Sequence, residues 1–228
     1  MIRPLAVFDI DGTLVDSRRS IHEASCEAAR VMGLPEPDYE RVRQGVGLSL
    51  TEAMRRLEPD LGEADLARFV QAFQASFRRL YDSGHVEPLY DGAMEHLHRL
   101  KAGGWRLALA TGQNRRGVAR NLAREGWADL FLSSHCAEDG PAKPDPAMLR
   151  AAMSACDASP ETTVMIGDTA HDATMAVNAG VTPIGVAWGF HTHEEQRAAG
   201  VLHVASDFTD LEAALARFAS SRFDRKTA

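Results

Sequence analysis

Two aspartates near the start of the chain, Asp9 and Asp11, are spaced so that an extended backbone turns both side chains to one side. Two carboxylates in one site repel each other, so a cation or a proton must offset their charge. Gly12 and Thr13 follow, and N–H groups in a tight turn suit an anion. Residues 9–13 therefore favour a site that holds a cation or a proton beside an anion, although a surface turn is the alternative for this segment alone.

Two further polar elements offer contacts to phosphate. Thr111 and Gly112 end an apolar run, where a hydroxyl and free amides can donate to phosphate oxygens; a simple turn is the alternative. Lys143 lies between prolines and a helix start, in a chain that contains few lysines. Its compact ammonium suits a point-charge contact to phosphate or carboxylate, and a solvated lysine is the alternative.

A last acidic pair, Asp168 and Asp172, follows another apolar run. Asp168 falls at the end of a predicted strand, and Asp172 falls in the first turn of the next helix. A negative charge in that turn is normal helix chemistry. Oxygen ligands that oppose Asp9 and Asp11 would nevertheless form a hard-cation site of the kind that Mg²⁺ occupies.

Continuous apolar runs, each followed by a helical pattern, predict a parallel sheet covered on both faces. Open α/β sheets bind ligands at the carboxyl ends of their strands, which is where these polar elements fall. Gly126 and Gly180 each mark the predicted end of a helix. The predicted strands are residues 5–10, 106–110, 130–132, 164–166, 183–188 and 203–205.

The segment from residue 16 to residue 88 contains helical patterns and no convincing strand. We therefore predict an α/β core domain formed by residues 1–15 and 89–228, with residues 16–88 inserted as a helical cap domain. Within the cap, Arg43 and Gln44 precede a glycine-flanked loop that could reach the site. Arg43 could bind a substrate carboxylate bidentately, or be an ordinary solvated charge.

Composition excludes several classes of function. A net charge of −7 argues against nucleic acid as a partner, because phosphate backbones require a basic surface. The chain has no apolar stretch of membrane-spanning length, which argues against a membrane role. The start of the chain has no secretory pattern and its three cysteines are scattered, which together predict a cytoplasmic protein with reduced thiols.

The four elements appear in the order of the motifs of the haloacid dehalogenase superfamily, which this chain resembles over essentially its whole length. The helical segment after the first motif lies where one branch of that superfamily inserts its cap. The chain, including residues 9–17 and 143–146, is similar to phosphoglycolate phosphatases. This resemblance implies an α/β fold with a Rossmann-like parallel sheet and an inserted α-helical cap.

The resemblance also implies a function, namely Mg²⁺-dependent hydrolysis of a small phosphorylated metabolite through a phosphoaspartyl intermediate. Asp9 would be the nucleophile and Asp11 the general acid/base. The protein would be a monomer or a homodimer. The implied phosphate-binding residues are Gly12, Thr111, Gly112 and Lys143, and the implied metal-site residues are Asp9, Asp11 through its carbonyl, Asp168 and Asp172.

The residues also bear on other activities of this superfamily and on non-catalytic alternatives. Dehalogenases of this superfamily lack the second carboxylate, so Asp11 argues against them. Phosphonate-cleaving members and sugar-phosphate mutases use a cap lysine, and no lysine precedes Lys101; this absence weighs against a mutase without excluding one. A phosphoacceptor module would be about half as long, and a non-catalytic binding protein would not need every motif residue. Phosphoglycolate phosphatases place Asn where this chain has Gly112, which leaves the substrate open.

Three histidines are assigned no chemical role. His171 is expected to be solvated in the first turn of its helix. His191 and His193 lie two residues apart with no third ligand nearby, which favours a surface loop over a metal pair.

Overall fold

The computed structural model describes residues 3–124 and 126–223. The strands are β1 (Leu5–Phe8), β2 (Arg106–Thr111), β3 (Ser133–Cys136), β4 (Thr163–Gly167), β5 (Thr182–Val186) and β6 (Val204–Ala205). They form one six-stranded sheet in the order β3-β2-β1-β4-β5-β6. Every pair of neighbours is parallel. The predicted α/β fold with a Rossmann-like parallel sheet is confirmed.

Helices connect these strands, and four of them separate β1 from the helix that leads into β2. None of the helices within the described ranges combines the length and the apolarity needed to cross a bilayer. The helices are α1 (Arg18–Val31), α2 (Tyr39–Arg43), α3 (Leu50–Leu57), α4 (Glu63–Asp82), α5 (Ala93–Ala102), α6 (Arg115–Leu122), α7 (Trp127–Leu130), α8 (Ala147–Ala155), a 3₁₀ turn (Pro160–Thr162), α9 (Ala170–Ala179), α10 (His193–Ala198) and α11 (Phe208–Phe223).

The alternation of side chains along β1 determines which helices approach the site. Ala6 and Phe8 belong to the core on one face of the sheet, together with residues of α5 and α11. Leu5 and Val7 belong to the core on the other face, which α8 and α9 cover. Asp9 follows with the parity of Val7. Its side chain therefore points toward the face on which α8 and α9 begin.

The order of the strands places β1 and β4 at the centre of the sheet. From β1 the chain builds outward to β2 and β3, whereas from β4 it builds outward to β5 and β6. The crevice between two strands whose connections diverge in this way is the usual ligand site of an open α/β sheet. The segments that follow β1 and β4 are those that carry Asp9 and Asp168.

Helices α1 to α4 form a hydrophobic core of their own. Its buried members come from all four helices and are Ala24, Ala28, Ala29, Val42, Met54, Leu57, Leu66, Phe69 and Phe73. A segment with its own core is able to act as a structural unit. The exact boundaries of the cap domain, residues 16–88, stay a prediction.

Two local predictions were wrong. The third strand is Ser133–Cys136 rather than residues 130–132, because those four residues pair with β2, while Leu132 is 62% exposed. Gly126 precedes α7, with a left-handed φ of 79°, whereas α6 has already ended at Leu122. The apolar run at residues 130–132 marked packing against the core without specifying which residues pair with β2, and a glycine with positive φ can precede a helix as well as end one.

Candidate active site

The carboxylates of Asp9, Asp168 and Asp172 meet at the carboxyl edge of the sheet. Asp9 directly follows β1 and Asp168 directly follows β4, and these two strands are neighbours. Asp172 lies in the first turn of α9. One carboxylate oxygen from each residue lies within 4.8 Å of the others, and all three residues are buried. Three of the predicted metal-site residues are therefore together.

The ammonium group of Lys143 binds two of these carboxylates. Its Nζ lies 2.8 Å from Oδ1 of Asp9 and 2.6 Å from Oδ1 of Asp172, and the lysine side chain is fully buried. Burial acts to lower the pKa of Lys143, but the two carboxylates outweigh it and raise the pKa above its ordinary value. One ammonium against three carboxylates leaves the ionised cluster with two unbalanced negative charges.

Asp9 presents one oxygen that the protein does not use. Its Oδ2 is buried and accepts no hydrogen bond from the residues that the structure describes. Burial raises the pKa of Asp9 from 3.8 to about 7, an effect that Lys143 opposes and Asp172 reinforces. A buried acceptor beside an excess of negative charge is the environment that a divalent cation would satisfy. The donor set, all carboxylate oxygen, fits a hard cation.

The carboxylate of Asp168 is held from two sides. Its Oδ1 accepts a hydrogen bond of 2.9 Å from Oγ1 of Thr13, and its Oδ2 accepts one of 2.8 Å from the Phe190 N–H. Glycine allows this approach, since a Cβ at Gly12 or Gly189 would lie 2.3 or 2.2 Å from the Asp168 side chain. Burial raises the pKa of Asp168, and the charges of Asp172 and Asp9 raise it further.

Gly12 adopts a backbone conformation, close to Asp168, that favours glycine. Its φ is +79°, a region that favours glycine, and the added Cβ would strike Asp168. Its N–H, predicted to bind phosphate, donates a 2.9 Å hydrogen bond to the carbonyl oxygen of Val15. In this conformation the Gly12 amide is therefore paired within its own loop.

Asp11 lies beside this acidic cluster, and its carboxylate binds elsewhere. Its Oδ2 accepts a 2.8 Å hydrogen bond from Nε2 of Gln113. The Oε1 of Gln113 in turn accepts a 3.0 Å bond from Nδ2 of the buried Asn121. Burial raises the pKa of Asp11 and the buried carboxylate of Glu87 adds to the rise, whereas the Gln113 bond lowers it.

Thr111 and Gly112 lie at the end of β2, next to β1. The hydroxyl of the buried Thr111 accepts a 3.2 Å hydrogen bond from the Gln113 N–H and keeps its own hydrogen to donate. At Gly112 an added Cβ would lie 2.4 Å from the Leu48 carbonyl oxygen and 2.7 Å from that of Gly47. The absent side chain at Gly112 thus makes room for the loop between α2 and α3.

One cavity connects the site to the helical segment. It encloses about 490 Å³, and Asp9, Asp11, Thr111 and Gly112 all line it. Side chains of α1, α3 and α4 form much of the remaining wall. Substrate entering this cavity would meet Asp9 and Asp11 at one end and the helical segment at the other.

Arg43 and Gln44 contact a part of the α/β core away from this cavity. The guanidinium Nη1 of Arg43 lies 2.8 Å from Oε2 of Glu195 and 3.2 Å from the Phe190 carbonyl oxygen. The Gln44 Nε2 donates to Oε1 of Glu195 over 2.6 Å. Burial acts to raise the pKa of Glu195, but these bonds and the Thr192 N–H lower it to about 2. Neither residue is among the described residues that line the cavity.

The prediction of exposure was wrong for His171 and His191, whereas His193 is exposed but begins α10 instead of lying in a loop. His171 is partly buried and its Nε2 lies 3.2 Å from the Gln44 carbonyl oxygen. His191 lies in a loop, as predicted, but it is buried, and its Nδ1 accepts a hydrogen bond from the Ala170 N–H. The Gln44 carbonyl in the α2–α3 loop contacts the His171 ring, and the His171 ring in turn packs edge-on against the His191 ring at a centroid distance of 5.3 Å.

Sequence reasoning missed Gln113 and Glu87. Gln113 directly follows the Thr111-Gly112 motif, and its position at a strand end was a usable signal. Glu87 precedes the proline that leads back into the core, with no motif around it. Its carboxylate accepts a 2.7 Å hydrogen bond from Tyr81. Only the fold brings Glu87 near Asp11.

Comparison with known proteins identifies the family. The profile described as "Haloacid dehalogenase-like hydrolase" matches residues 6–186. A relative named "Probable phosphatase IndB", from Dickeya dadantii (strain 3937), is 34% identical over 214 residues, covering 92% of each chain. A phosphoglycolate phosphatase of Psychrobacter arcticus is 28% identical over 220 residues, covering 92% of this chain and 95% of its own.

A solved structure agrees on the fold. The hydrolase from Pseudomonas syringae superposes with a TM-score of 0.83 at 24% identity, covering 94% of this chain and 99% of its own. The predicted superfamily, the predicted fold and the prediction of a hydrolase are confirmed. This chain belongs to the haloacid dehalogenase-like hydrolase family.

Proposed function

We propose that this protein is a Mg²⁺-dependent phosphatase that hydrolyses a small-molecule phosphate monoester through a phosphoaspartyl intermediate on Asp9. One observation carries the proposal. One carboxylate oxygen of Asp9 is buried and has no hydrogen-bond partner among the residues that the structure describes. It lies beside Lys143 and two further carboxylates, in a residue that lines a substrate-sized cavity. The names of the relatives as phosphatases support the same reaction class.

The residues that would hold Mg²⁺ are Asp9, Asp168 and Asp172, with the Asp11 carbonyl as a fourth oxygen donor. When bound, the ion supplies positive charge that offsets the repulsion between the carboxylates and a phosphate dianion. Both oxygens of Asp172 already accept hydrogen bonds, from Lys143 and Thr169. Besides its place in the cation site, Asp172 therefore positions Lys143 and balances the charge of its ammonium group.

Asp9 is suited to attack phosphorus because it is held by one oxygen and free at the other. Lys143 fixes Oδ1, and Oδ2 lies in the cavity-facing cluster without a protein donor in the described ranges. Like charges about 4 Å apart repel by roughly 4 kcal/mol at an effective dielectric of 20. The ammonium of Lys143 reduces this repulsion as a phosphate dianion approaches Asp9.

Asp11 is suited to proton transfer because it lines the cavity outside the acidic cluster. Burial, with Glu87, raises the pKa of Asp11, which favours the protonated form that a general acid needs. Asp11 would protonate the leaving alkoxide and then take a proton from the water that cleaves the acyl phosphate. Gln113 holds the carboxylate in place through the bond to Oδ2.

Thr111 and Lys143 would orient the phosphate group. The Thr111 hydroxyl retains a donor hydrogen, and Lys143 supplies charge. Because the Gly12 N–H is paired with Val15, Gly12 would bind phosphate only after that loop rearranges. Gly112 still offers an N–H at the end of β2, next to the close approach of the α2–α3 loop.

Residues 16–88 are proposed to act as a mobile cap over a core formed by residues 1–15 and 89–228. The cap has its own hydrophobic core, and Arg43 and Gln44 bind it to Glu195 on α10. A lid of this kind admits substrate and then shields the acyl phosphate from stray reactions. The proposed substrate is a phosphorylated metabolite in the cytoplasm, and the protein is a monomer or homodimer.

Replacement of the nucleophile tests the central step. Asp9→Asn should abolish nearly all activity, because an amide is a very poor nucleophile, while the fold is retained. Phosphate release from p-nitrophenyl phosphate with Mg²⁺ measures this, and circular dichroism checks folding. The matched control is Asp91→Asn at an exposed position. Retention of more than about a tenth of wild-type kcat, a loss below ~1.4 kcal/mol, would show that Asp9 is not the nucleophile.

Replacement of the acid/base separates its role from metal organisation. Asp11→Asn should lower turnover by about 10²–10⁴-fold, the usual contribution of general acid/base catalysis. An alkyl phosphate should lose more of the first step than p-nitrophenyl phosphate, since a good leaving group needs little protonation. Rapid-quench measurement of phosphoenzyme formation with both substrates tests this. Equal losses in that step for the two would falsify the acid role.

Gln113 is expected to matter because it positions Asp11. Gln113→Leu keeps a similar size and removes the donor, so kcat for an alkyl phosphate should fall by about 10–100-fold, the scale of a misplaced catalytic group. KM should change far less, and p-nitrophenyl phosphate should be less affected. Gln71→Leu, on the exposed side of α4, is the control. Equal effects on both substrates, or a change in KM alone, would contradict a positioning role for Gln113.

The contact of Arg43 with Glu195 should favour the closed cap. In Arg43→Leu, small-angle scattering with Mg²⁺ and orthovanadate should show less compaction than in the wild type. Arg41→Leu is the control, because Arg41 pairs with Glu58 inside the helical segment. If Arg43→Leu compacts as fully as the wild type, this ion pair does not hold the cap closed.

A further inference from the structure

The cap side of the cavity is lined largely by apolar side chains. They come from three helices of the segment formed by residues 16–88, namely α1, α3 and α4. Apolar walls with a few polar groups at one end are typical of sites for organic ligands. The side chains that matter here are Ile21, Met54, Leu57, Val70, Phe73 and Phe77.

Aromatic rings form a row along this wall. Phe73, Phe77 and Tyr81 are spaced by four residues, so they share one face of α4. The ring centroids of the first two are 4.9 Å apart, and those of the second and third are 5.9 Å apart. All three rings line the cavity. Such a row offers ring faces and edges against which another ring can pack.

The size of the cavity exceeds what a two-carbon phosphoacid requires. The cavity provides about 490 Å³. Phosphoglycolate has about nine non-hydrogen atoms and would leave part of that space to water against apolar walls. Water in contact with apolar walls is displaced favourably by an apolar group. The volume and the lining of the cavity therefore both favour a ligand with an apolar group larger than the organic part of phosphoglycolate.

Arg43, which the sequence suggested as a partner for a substrate carboxylate, forms ion pairs with residues of the protein itself. Arg43 is bound to Glu40 and Glu195, and its side chain is 11% exposed. The arginines that do line the cavity are placed differently. Arg120 lies over the ring of Tyr81, 3.4 Å from its centroid, while Arg78 and Arg116 are exposed. We attribute to the exposed pair the attraction of a phosphate dianion toward the site.

We infer that the substrate is a phosphate monoester whose organic group carries an apolar aromatic body, which packs against the ring row of α4. This inference rests on the proposed phosphatase function and assigns the substrate class of the same site. Phe77 and Val70 are then residues that determine specificity. A two-carbon acid is a poor fit to this wall, because it has no apolar group that could pack against the ring row.

The test compares substrates with similar leaving groups. We expect kcat/KM for 2-phenylethyl phosphate to exceed that for ethyl phosphate by roughly 30-fold or more, because a phenyl ring leaves water on binding. Phosphoglycolate should resemble ethyl phosphate. Comparable kcat/KM values for the three, or a preference for phosphoglycolate, would overturn the inference while leaving a phosphatase. Absence of phosphate release from all three would overturn the phosphatase proposal itself.

Variants of α4 locate the ring site. Phe77→Ala removes a ring and Val70→Phe fills the cavity, and each should lower the ratio of kcat/KM for 2-phenylethyl phosphate over ethyl phosphate by about tenfold. Phe77→Leu should recover part of the ratio. Gln71→Ala, exposed on the same helix, should leave it unchanged. Because the readout is a ratio within one variant, a general loss of folded enzyme does not imitate it. An unchanged ratio in both cavity variants would contradict the assignment.

Discussion

The mutual repulsion of buried carboxylates dominates this structure. Asp9, Asp168 and Asp172 are buried together, and burial of like charges is costly unless hydrogen bonds and opposite charges compensate. Lys143 supplies the opposite charge, and Thr13 supplies one of the hydrogen bonds. The remaining excess of negative charge is what makes the cluster receptive to a divalent cation. The three negative charges of the ionised carboxylates would be balanced by the ammonium of Lys143 and a divalent cation together.

The parallel sheet makes this cluster possible. β1 and β4 are neighbours at the point where the connections of the chain diverge, so their carboxyl ends deliver side chains to one crevice. Alternation along β1 turns Asp9 toward the face covered by α8 and α9, from whose starting segments Lys143 and Asp172 arrive. Side-chain parity within four residues of strand thus determines which charges meet.

Close backbone approach then connects the catalytic edge to the helical segment. Gly12 and Gly189 leave space for the Asp168 side chain, and Gly112 leaves space for the carbonyl groups of the α2–α3 loop. The same loop brings Gln44 to Glu195. Two environments therefore adjoin, a charged edge and an apolar, ring-lined wall. In the reaction that we propose, the first receives the phosphoryl group and the second receives the group attached to it. Because the reacting group and the rest of the substrate would contact different parts of the site, one reaction can be combined with different substrates.

The sequence by itself predicted the strands at whose ends the candidate residues lie, a helical stretch between the first two strands, and Asp9, Asp11, Lys143 and Asp168 as candidate site residues, because burial periodicity and turn chemistry are local properties of the chain. It misplaced β3, whose backbone partner is a distant strand. Tertiary structure alone decided that Gln113 binds Asp11, that Arg43 binds Glu195 and that a ring row lines the cavity. The physical reason is that these contacts join residues far apart in the chain, and only packing of the folded elements selects which partners meet.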